Sequence, residues 1–231
     1  MRIYTIILLT FAAVFLQYSR AQQAIPGVAP TALFTDKDGM PAEVPPSEFD
    51  GQAPLDVTFR ANPQNMEGHT PVYAWHFRKQ GSEQETMVRY EEDTDYRFEE
   101  SGTITVTLTV TLSDDGTELD PQVFTITIHN SLLSFPNAFS PNGDDDNPIF
   151  KAKTCQSIVD FHAYIFNRWG QKLYEWTDPT GGWDGTYRGR DVKEGTYFLL
   201  VRARGADGVN YNIKKDVNLL RGYTTEPTLN E

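Results

Sequence analysis

The chain has 231 residues, of which 39% are hydrophobic and 13% aromatic, enough for two small packed domains. Its net charge of −12 disfavours binding to nucleic acid or to an anionic membrane surface. Cys155 is the only cysteine, so an internal disulfide is excluded. We expect it to be a half-buried small hydrophobic residue rather than a reactive thiol, because no cationic residue directly adjoins it.

The N-terminus is typical of a secretory signal peptide. Arg2 precedes a nearly unbroken apolar run over 3–16, which is too short to span a membrane. Small residues stand three and one positions before the expected cleavage between Ala21 and Gln22. No cysteine follows that site, so no lipid anchor is expected, and no second apolar run suggests a membrane span. We expect residues 1–21 to be removed during export; a buried N-terminal helix is the alternative.

Charge divides the mature chain into two parts. Residues 22–130 carry 19 acidic and 6 basic side chains, a net charge of −13. Residues 131–231 carry 13 acidic and 12 basic side chains, a net charge of −1. This break predicts two domains, 22–130 and 131–221, followed by a flexible tail over 222–231. Because the two surfaces differ so much, we expect them to meet different partners.

Alternation of apolar and polar residues predicts strands in the first domain. The predicted strands are 55–59, 72–77, 103–112 and 123–128. The clearest is 103–112, where five apolar residues face one way and five threonines the other. Residues 22–33 are interpreted as a leading segment, and 41–49, rich in Pro and Glu, as a loop. Short strands separated by turns favour an antiparallel β-sandwich.

The amino-acid sequence of these strands resembles that of a PKD (polycystic kidney disease) domain, an immunoglobulin-like module. The resemblance rests on GQAPLDVTF at 51–59, YAWHF at 73–77 and YRFEESGTITVTLTV at 96–110. It implies that Trp75 and Phe77 lie in the core. The acidic turn that follows the tryptophan in that family is absent here, so no role that depends on those aspartates is carried over.

The second half also alternates. Val159, Phe161, Ala163 and Ile165 are predicted to point inward from one strand. Residues 167–170 are predicted to form a turn that leads into a strand over 172–176. Strands 196–204 and 209–220 are expected to form a hairpin at Asp207-Gly208, a favoured turn pair. The predicted fold class is therefore all-β, with two consecutive antiparallel, immunoglobulin-like β-sandwich domains.

Four separated motifs resemble the gliding-motility-associated C-terminal domain, the type B sorting signal of the bacterial type IX secretion system. They are SFPNAFSPNGDDDNPIF at 134–150, IVDFHAYIFNRWGQKLYE at 158–175, GGWDGTYRGRDVKEGTYFLLVRAR at 181–204 and DVNLLR at 216–221. The motif residues implied by the resemblance are Pro136, Asn137, Phe139, Pro141, Asn142, Gly143, Asp144, Asn167, Arg168, Trp169, Gly170, Trp183, Asp184, Gly185, Gly195 and Tyr197. Trp169 and Trp183 are expected to pack across the sheets rather than to stack on a ligand.

The resemblance implies an exported protein that folds in the periplasm and is handed to the outer-membrane translocon. It would lie in the periplasm, at the outer membrane or at the cell surface. The expected partners are the type IX translocon or envelope sensor proteins, with Lys214, Lys215 and Arg221 as candidate contacts. Two hypotheses remain open: the chain acts on the secretion machinery, or it is an adhesion or spacer protein delivered to the surface.

The acidic stretch that begins at Asn142 partly resembles a metal-binding loop. Asn142, Asp144 and Asp146 have the alternate spacing with which a calcium loop begins, but the sixth position is Asn147 and the twelfth is Lys153. We interpret the stretch as a turn and expect neither a metal nor a cofactor. The four histidines have no metal-ligand spacing, and no catalytic motif is present. The sequence therefore predicts a protein that is not an enzyme.

Overall fold

The structure is a computed structural model that describes residues 25–36, 38–143 and 146–222. The described residues form strands and no helix, which confirms the all-β prediction. The first part contains β1 (Gly27–Val28), β2 (Thr31–Thr35), β3 (Pro41–Val44), β4 (Glu48–Gly51), β5 (Leu55–Arg60), β6 (Pro63–Gln64), β7 (Pro71–Lys79), β8 (Met87–Arg89), β9 (Thr94–Phe98), β10 (Gly102–Leu112), β11 (Thr117–Glu118) and β12 (Gln122–Ile128). The second part contains β13 (Leu132–Ser134), β14 (Ala138–Phe139), β15 (Phe150–Lys151), β16 (Thr154–Gln156), β17 (Ile158–Phe166), β18 (Lys172–Trp176), β19 (Gly182–Trp183), β20 (Thr186–Tyr187), β21 (Arg190–Asp191), β22 (Gly195–Gly205) and β23 (Asn210–Leu219).

Two sheets form the N-terminal sandwich. One has the order β4-β12-β10-β7-β8, with β11 paired to β10, and the other has the order β3-β2-β5-β9. Their inner faces share one hydrophobic cluster. Phe59 lies at its centre and contacts three rings, those of Trp75, Phe77 and Phe124, at centroid distances of 5.6, 6.0 and 5.4 Å. Trp75 is fully buried, as expected.

The expected leading segment and loop are wrong in part. Within 22–33 the chain already forms β1 and begins β2, and within 41–49 it forms β3 and begins β4. Both β3 and β4 are edge strands: β3 pairs only with β2, and β4 pairs only with β12, in parallel. Proline and charged residues are tolerated at sheet edges, where part of the backbone needs no ladder partner. Composition alone therefore concealed these strands.

One large sheet organises the C-terminal unit. Its order is β14-β23-β22-β17-β18, and the predicted hairpin is formed by β22 and β23, with Gly208 at a φ of 80° in the turn. One face of the sheet carries the second hydrophobic cluster, which the short ladders β13-β16 and β15-β19 help to cover. The pairing is antiparallel except between β14 and β23, which run in parallel. No helix long and apolar enough to cross a membrane is found among the described residues.

The tip of the β22–β23 hairpin contacts the N-terminal sandwich. Ala206 is 7% exposed and belongs to the N-terminal hydrophobic cluster, against which Val159 also packs. The backbone N–H of Ser101 donates to the carbonyl of Ala206 at 3.0 Å. The N–H of Ala53 donates to the hydroxyl of Ser157 at 3.3 Å. These contacts join the two units directly.

Ser131 fixes the connection between the units. The Asp207 carboxylate accepts hydrogen bonds from the Ser131 N–H at 3.0 Å and from its hydroxyl at 2.7 Å. The same hydroxyl lies 2.9 Å from the Tyr211 hydroxyl. A Cβ atom at Gly205 would lie 2.1 Å from Ser131 Oγ, so only glycine fits there. We call this set of contacts, from Ala53, Ser101, Ser131, Ser157 and 205–207, the junction.

Candidate recognition surface of the C-terminal domain

Motif residues from distant segments meet in one aromatic cluster. The Trp183 ring is fully buried and contacts Phe139 at 5.4 Å and Tyr197 at 5.1 Å between centroids. Phe150, on the strand paired with that of Trp183, contacts Phe139 at 5.6 Å. The indole Nε1–H of Trp183 donates to the carbonyl of Thr186 at 2.8 Å. The expectation that Trp183 packs inside is confirmed.

Arg221 ties this cluster together. Its guanidinium donates to the carbonyl of Pro141 at 2.9 Å and to that of Gly185 at 3.0 Å. It also lies 3.2 Å from the Asp191 carboxylate, and its backbone N–H donates to the Glu194 carboxylate. The final arginine of the DVNLLR motif therefore joins three separate loops of the domain.

Gly185 lies where this arginine reaches the cluster. Its φ is +82°, and a Cβ atom would be 3.0 Å from Leu219 and Pro141 and 3.1 Å from the guanidinium of Arg221. Asp184 prepares the turn, because its carboxylate accepts from the N–H and the hydroxyl of Thr186 at 2.9 and 2.8 Å. Both motif residues therefore shape the loop.

Tyr197 and Gly195 belong to the same region. The Tyr197 hydroxyl donates to the carbonyl of Lys193 at 2.6 Å. Burial raises the pKa of Tyr197 above its ordinary value, while Arg221 and Arg168 act in the opposite direction. Gly195 begins β22 with a φ of 141°. The tyrosine therefore remains a neutral hydrogen-bond donor in the cluster.

The turn after β17 presents a tryptophan to the solvent. The Asn167 side chain accepts from the N–H groups of Trp169 and Gln171, each at 3.0 Å, and Gly170 has a φ of 78°. Trp169 is 82% exposed, with the Arg168 guanidinium 5.6 Å from its ring centroid. The expectation that Trp169 packs across the sheets is wrong, because the turn directs this ring away from the cluster.

The first motif segment runs along the edge of the sheet. Asn137 accepts from the N–H of Asn218 through its carbonyl at 2.9 Å, and Pro136 lies beside it in a groove shared with Lys215. Gly143 has a φ of 89° in the turn that follows Asn142. Asp144 lies outside the described residues.

No metal site is visible around this turn in the described part of the chain. There, no group of three or more His, Cys, Asp and Glu side chains is placed to hold an ion. The Ser140 N–H donates to the carbonyl of Asn147 at 2.9 Å, which closes the loop by a backbone hydrogen bond. Burial, followed by the nearby Asp178, raises the pKa of the Cys155 thiol. A thiol with a raised pKa is a poor nucleophile.

The three candidate contact cations differ in their surroundings. Lys215 donates to the carbonyl of Phe135 at 2.5 Å, and Arg221 is engaged inside the domain. Lys214 lies on the opposite face of β23 and is exposed. Partner binding by these residues stays a prediction, and Lys214 is the best placed of the three.

Residues 133–216 match the CHU_C Type IX secretion signal domain. The match covers the C-terminal part of the chain and contains most of the motif residues placed above. It implies a type IX substrate and hence an exported protein, in agreement with the sequence. No curated protein matches the chain. The sequence did not reveal the structural role of Arg221, because the loops it joins are distant along the chain.

Several solved structures have a low similarity to the chain. The fibronectin(III)-like modules of Clostridium thermocellum CbhA share 13% identity over 75% of this chain and 87% of that one, with a TM-score of 0.23. Dimeric latent PorU from Porphyromonas gingivalis shares 13% identity over 88% of this chain, with a TM-score of 0.24. The chain spans 21% of the length of that PorU structure. Similarity at this level carries no information on function.

Proposed function

We propose that this chain is an exported, non-enzymatic protein whose C-terminal domain is recognised by the type IX secretion apparatus. The observation that carries the proposal is the match of residues 133–216 to the type IX secretion signal domain. The aromatic cluster around Trp183 and the Arg221 contacts support it, because they give the separated motifs one shared structural basis. Exposed Trp169 is the motif residue best placed to contact a receptor.

The N-terminal sandwich is proposed to be a PKD-like interaction module. Trp75 and Phe77 are buried, as that resemblance implies. Residues 22–130 have a net charge of −13, which favours approach to a basic protein surface and opposes approach to nucleic acid or anionic lipid. In this proposal the C-terminal domain, and not this module, contacts the translocon or an envelope sensor protein, so that the chain acts on the secretion machinery in the periplasm or at the outer membrane.

A second candidate function is supported by the junction. Hydrogen bonds from Ser101 to Ala206 and from Ala53 to Ser157 hold the two units in contact. A fixed pair of domains suits a spacer or adhesion protein that projects from the cell surface after ordinary type IX secretion. The two candidates share the secretion step and differ in where the protein stays.

Cell fractionation tests the proposal. The chain is followed in a wild-type strain and in a strain lacking type IX secretion, together with a second chain that ends at Asn130. Type IX recognition predicts that the whole chain changes location between the strains and that the shortened chain does not. Equal distribution of the whole chain in both strains would contradict the proposal. Retention in the envelope favours the machinery role, and surface exposure favours the spacer.

A pull-down of the whole chain from envelope extracts tests the contact residues. We expect Trp169→Ala and Lys214→Ala to reduce capture of translocon or sensor proteins. Lys151→Ala is the matched control, because Lys151 is an exposed lysine in the same domain on the short strand β15. Undiminished capture by both variants would remove the two residues from the proposed contact while leaving the secretion signal itself in place.

A further inference from the structure

One face of the C-terminal sheet has apolar side chains at its centre. We call it the open face. Its centre consists of Tyr164 and Phe166 on β17 and of Phe198 and Leu200 on β22, which pair directly across the two strands. Of these, Tyr164 is partly covered by His162, whose ring stacks on it at 4.3 Å, and by Lys172, 5.7 Å from its ring centroid. Phe198 is 41% exposed, and none of the four belongs to a hydrophobic cluster. An apolar centre of this kind is typical of a protein-protein contact.

Charged residues surround this centre in a defined order. Across β18, β17, β22 and β23, the paired rows are Lys172–Phe166–Phe198–Asp216, Glu175–Tyr164–Leu200–Lys214 and, from β17 onwards, Asp160–Arg204–Asn210. In each of these three rows, opposite charges therefore lie symmetrically about the line between β17 and β22, whereas the row His162–Arg202–Asn212 carries no acidic residue. The rim, including Arg202, has four basic and three acidic residues and is nearly neutral.

This order makes the open face complementary to itself. A two-fold axis parallel to the strands, running between β17 and β22, exchanges β18 with β23 and β17 with β22. A second copy packed face to face about this axis would place its Asp216 opposite Lys172 and its Lys214 opposite Glu175. Phe166 would lie opposite Phe198 of the second copy. Packed sheets keep their strands within about 30° of each other, so these opposing positions remain neighbours.

The alternative axis fits poorly. A two-fold axis across the strands would reverse the order of the rows and place the charged Asp160 and Arg204 over Phe166 and Phe198. Burying the Asp160 carboxylate against a phenyl ring without a counter-charge is unfavourable. The register of the sheet therefore selects the axis along the strands.

Most of the rim charges lack a partner within the chain. No ion pair within 4.0 Å involves Asp160, Arg204, Lys214 or Asp216 in the part of the chain that the structure describes. Lys172 and Glu175 contact each other at 2.8 Å. Asp160, Arg204, Lys214 and Asp216 can thus pair with a second copy without losing an internal ion pair. Lys172 and Glu175 would exchange their mutual contact for the new pairs.

We propose that the chain forms a homodimer through the open face, with the two sheets packed face to face about an axis parallel to their strands. The occupant is a second copy because the charge pattern and the apolar centre are both self-complementary. Such an interface is closed and stops at two copies. The dimer shares Lys214 with the proposed receptor contact, whereas exposed Trp169 lies outside the rows of the open face.

The test is sedimentation of the whole exported chain over a range of concentrations at physiological ionic strength. This salt level matters because the axis brings two acidic N-terminal sandwiches to the same end of the dimer, where salt screens their repulsion. We expect a reversible dimer. Lys214→Glu and Glu175→Lys should each weaken it by about tenfold or more, because like charges then meet at both ends of the interface.

Mixing the two variants separates a broken interface from a damaged fold. In a mixed dimer of Lys214→Glu with Glu175→Lys, opposite charges meet again at both positions. We therefore expect the mixture to dimerise where each variant alone does not. Failure of the mixture to recover dimers, with both variants folded by circular dichroism, would overturn the proposed axis.

Substitution of the apolar centre tests the face itself. Phe198→Ser should weaken the dimer by about tenfold or more, whereas Tyr90→Ser should leave it unchanged, since Tyr90 is 76% exposed on the other domain. A chain that is monomeric at all concentrations would overturn the proposal. So would a chain that dimerises only after removal of 223–231, which would assign the open face to its own tail. Cross-linking of the face in a monomer to an envelope protein would assign it to that partner instead.

Discussion

The outer face of the N-terminal sandwich and the open face of the C-terminal sheet have opposite chemistry on similar backbones. On β10 the outward side chains are threonines: Thr103 contacts Thr127 at 3.1 Å, and Thr109 lies 3.1 Å from His76 Nε2. On β17 and β22 the outward positions include Tyr164, Phe166, Phe198 and Leu200. The first face satisfies its polar groups locally and tolerates water, whereas the second leaves apolar surface uncovered. The same alternation of residues thus produces a solvated face in one unit and a contact face in the other.

The largest expected effect is on the stability of the N-terminal core, in which the Trp75 ring is fully buried. Trp75→Ala removes a fully buried ring whose indole N–H donates to the carbonyls of Glu91 and Glu92, both at 3.1 Å. We expect the free energy of unfolding of this unit to fall by about 3–5 kcal/mol. Thermal unfolding followed by circular dichroism measures it, because Trp75 is the only tryptophan of this unit and the variant has no fluorescence reporter there. Trp169→Ala, at a ring that is 82% exposed, is the matched control and should change the melting temperature little; similar losses for both variants would contradict the contrast.

A second test breaks the contact between the two units. Gly205→Ala places a Cβ atom within 2.1 Å of Ser131 Oγ, so the hairpin tip and the connection at Ser131 must move apart. We expect a loss of stability of about 1–3 kcal/mol and faster proteolysis near Asn130. Gly27→Ala is the control, because nothing lies within 4 Å of a Cβ atom there. Unchanged cleavage in the Gly205 variant would show that the junction does not hold the units together.

A third pair of substitutions separates the effect of side-chain packing near the aromatic cluster around Trp183 from the effect of backbone strain. Gly185 and Gly189 both have a positive φ, +82° and +74°, but only Gly185 lies against other side chains. Both alanine variants should cost about 1 kcal/mol for the strained backbone. Gly185→Ala should cost more, because the loop must also move away from Arg221. Chemical denaturation measures the difference between the two variants. Equal losses of stability would argue against close packing of Gly185 on the Arg221 guanidinium.

The smallest expected effect is the dependence of the junction on pH. The Ser131 hydroxyl is the main cause of the lowered pKa of Asp207, and backbone N–H groups add to it. A carboxyl with a lowered pKa in the folded state stabilises the fold above its ordinary value of 3.8 and loses this contribution as the pH falls through the folded value. Asp207→Asn should remove that part of the acid dependence, whereas Asp120→Asn, at an exposed position, should not. Identical denaturation midpoints of the wild type and the Asp207 variant at each acidic pH would contradict it.

The sequence predicted the central strands well and the edges poorly. Alternation located β5, β7, β10 and β12, because their inner side chains are all buried in one cluster. The edge strands β3 and β4 escaped detection, since an edge accepts Pro and Glu and needs little apolar surface. Alternation of apolar and polar residues reveals strands with one buried face, and edge strands bury few side chains.

The candidate site was predictable as a set of residues but not as an arrangement. Trp183 was placed correctly in the core, whereas Trp169 was not, because Asn167 fixes a turn that directs the Trp169 ring outward. No sequence motif predicted the open face. It required the register between β17, β18, β22 and β23, which a sequence pattern does not contain.

The β22 strand joins two features that lie at its opposite ends. Tyr197, two residues after Gly195 at the start of the strand, belongs to the aromatic cluster around Trp183. Gly205, at its end, belongs to the junction, and the continuous strand between them has 11 residues. At about 3.3 Å a residue, this strand is roughly 36 Å long. A mechanical pull applied at the cluster would be transmitted along the stiff, doubly paired strand to the N-terminal sandwich. To separate the units, such a force must shear the ladders on both sides of β22 or remove Ala206 from the hydrophobic cluster of the N-terminal sandwich.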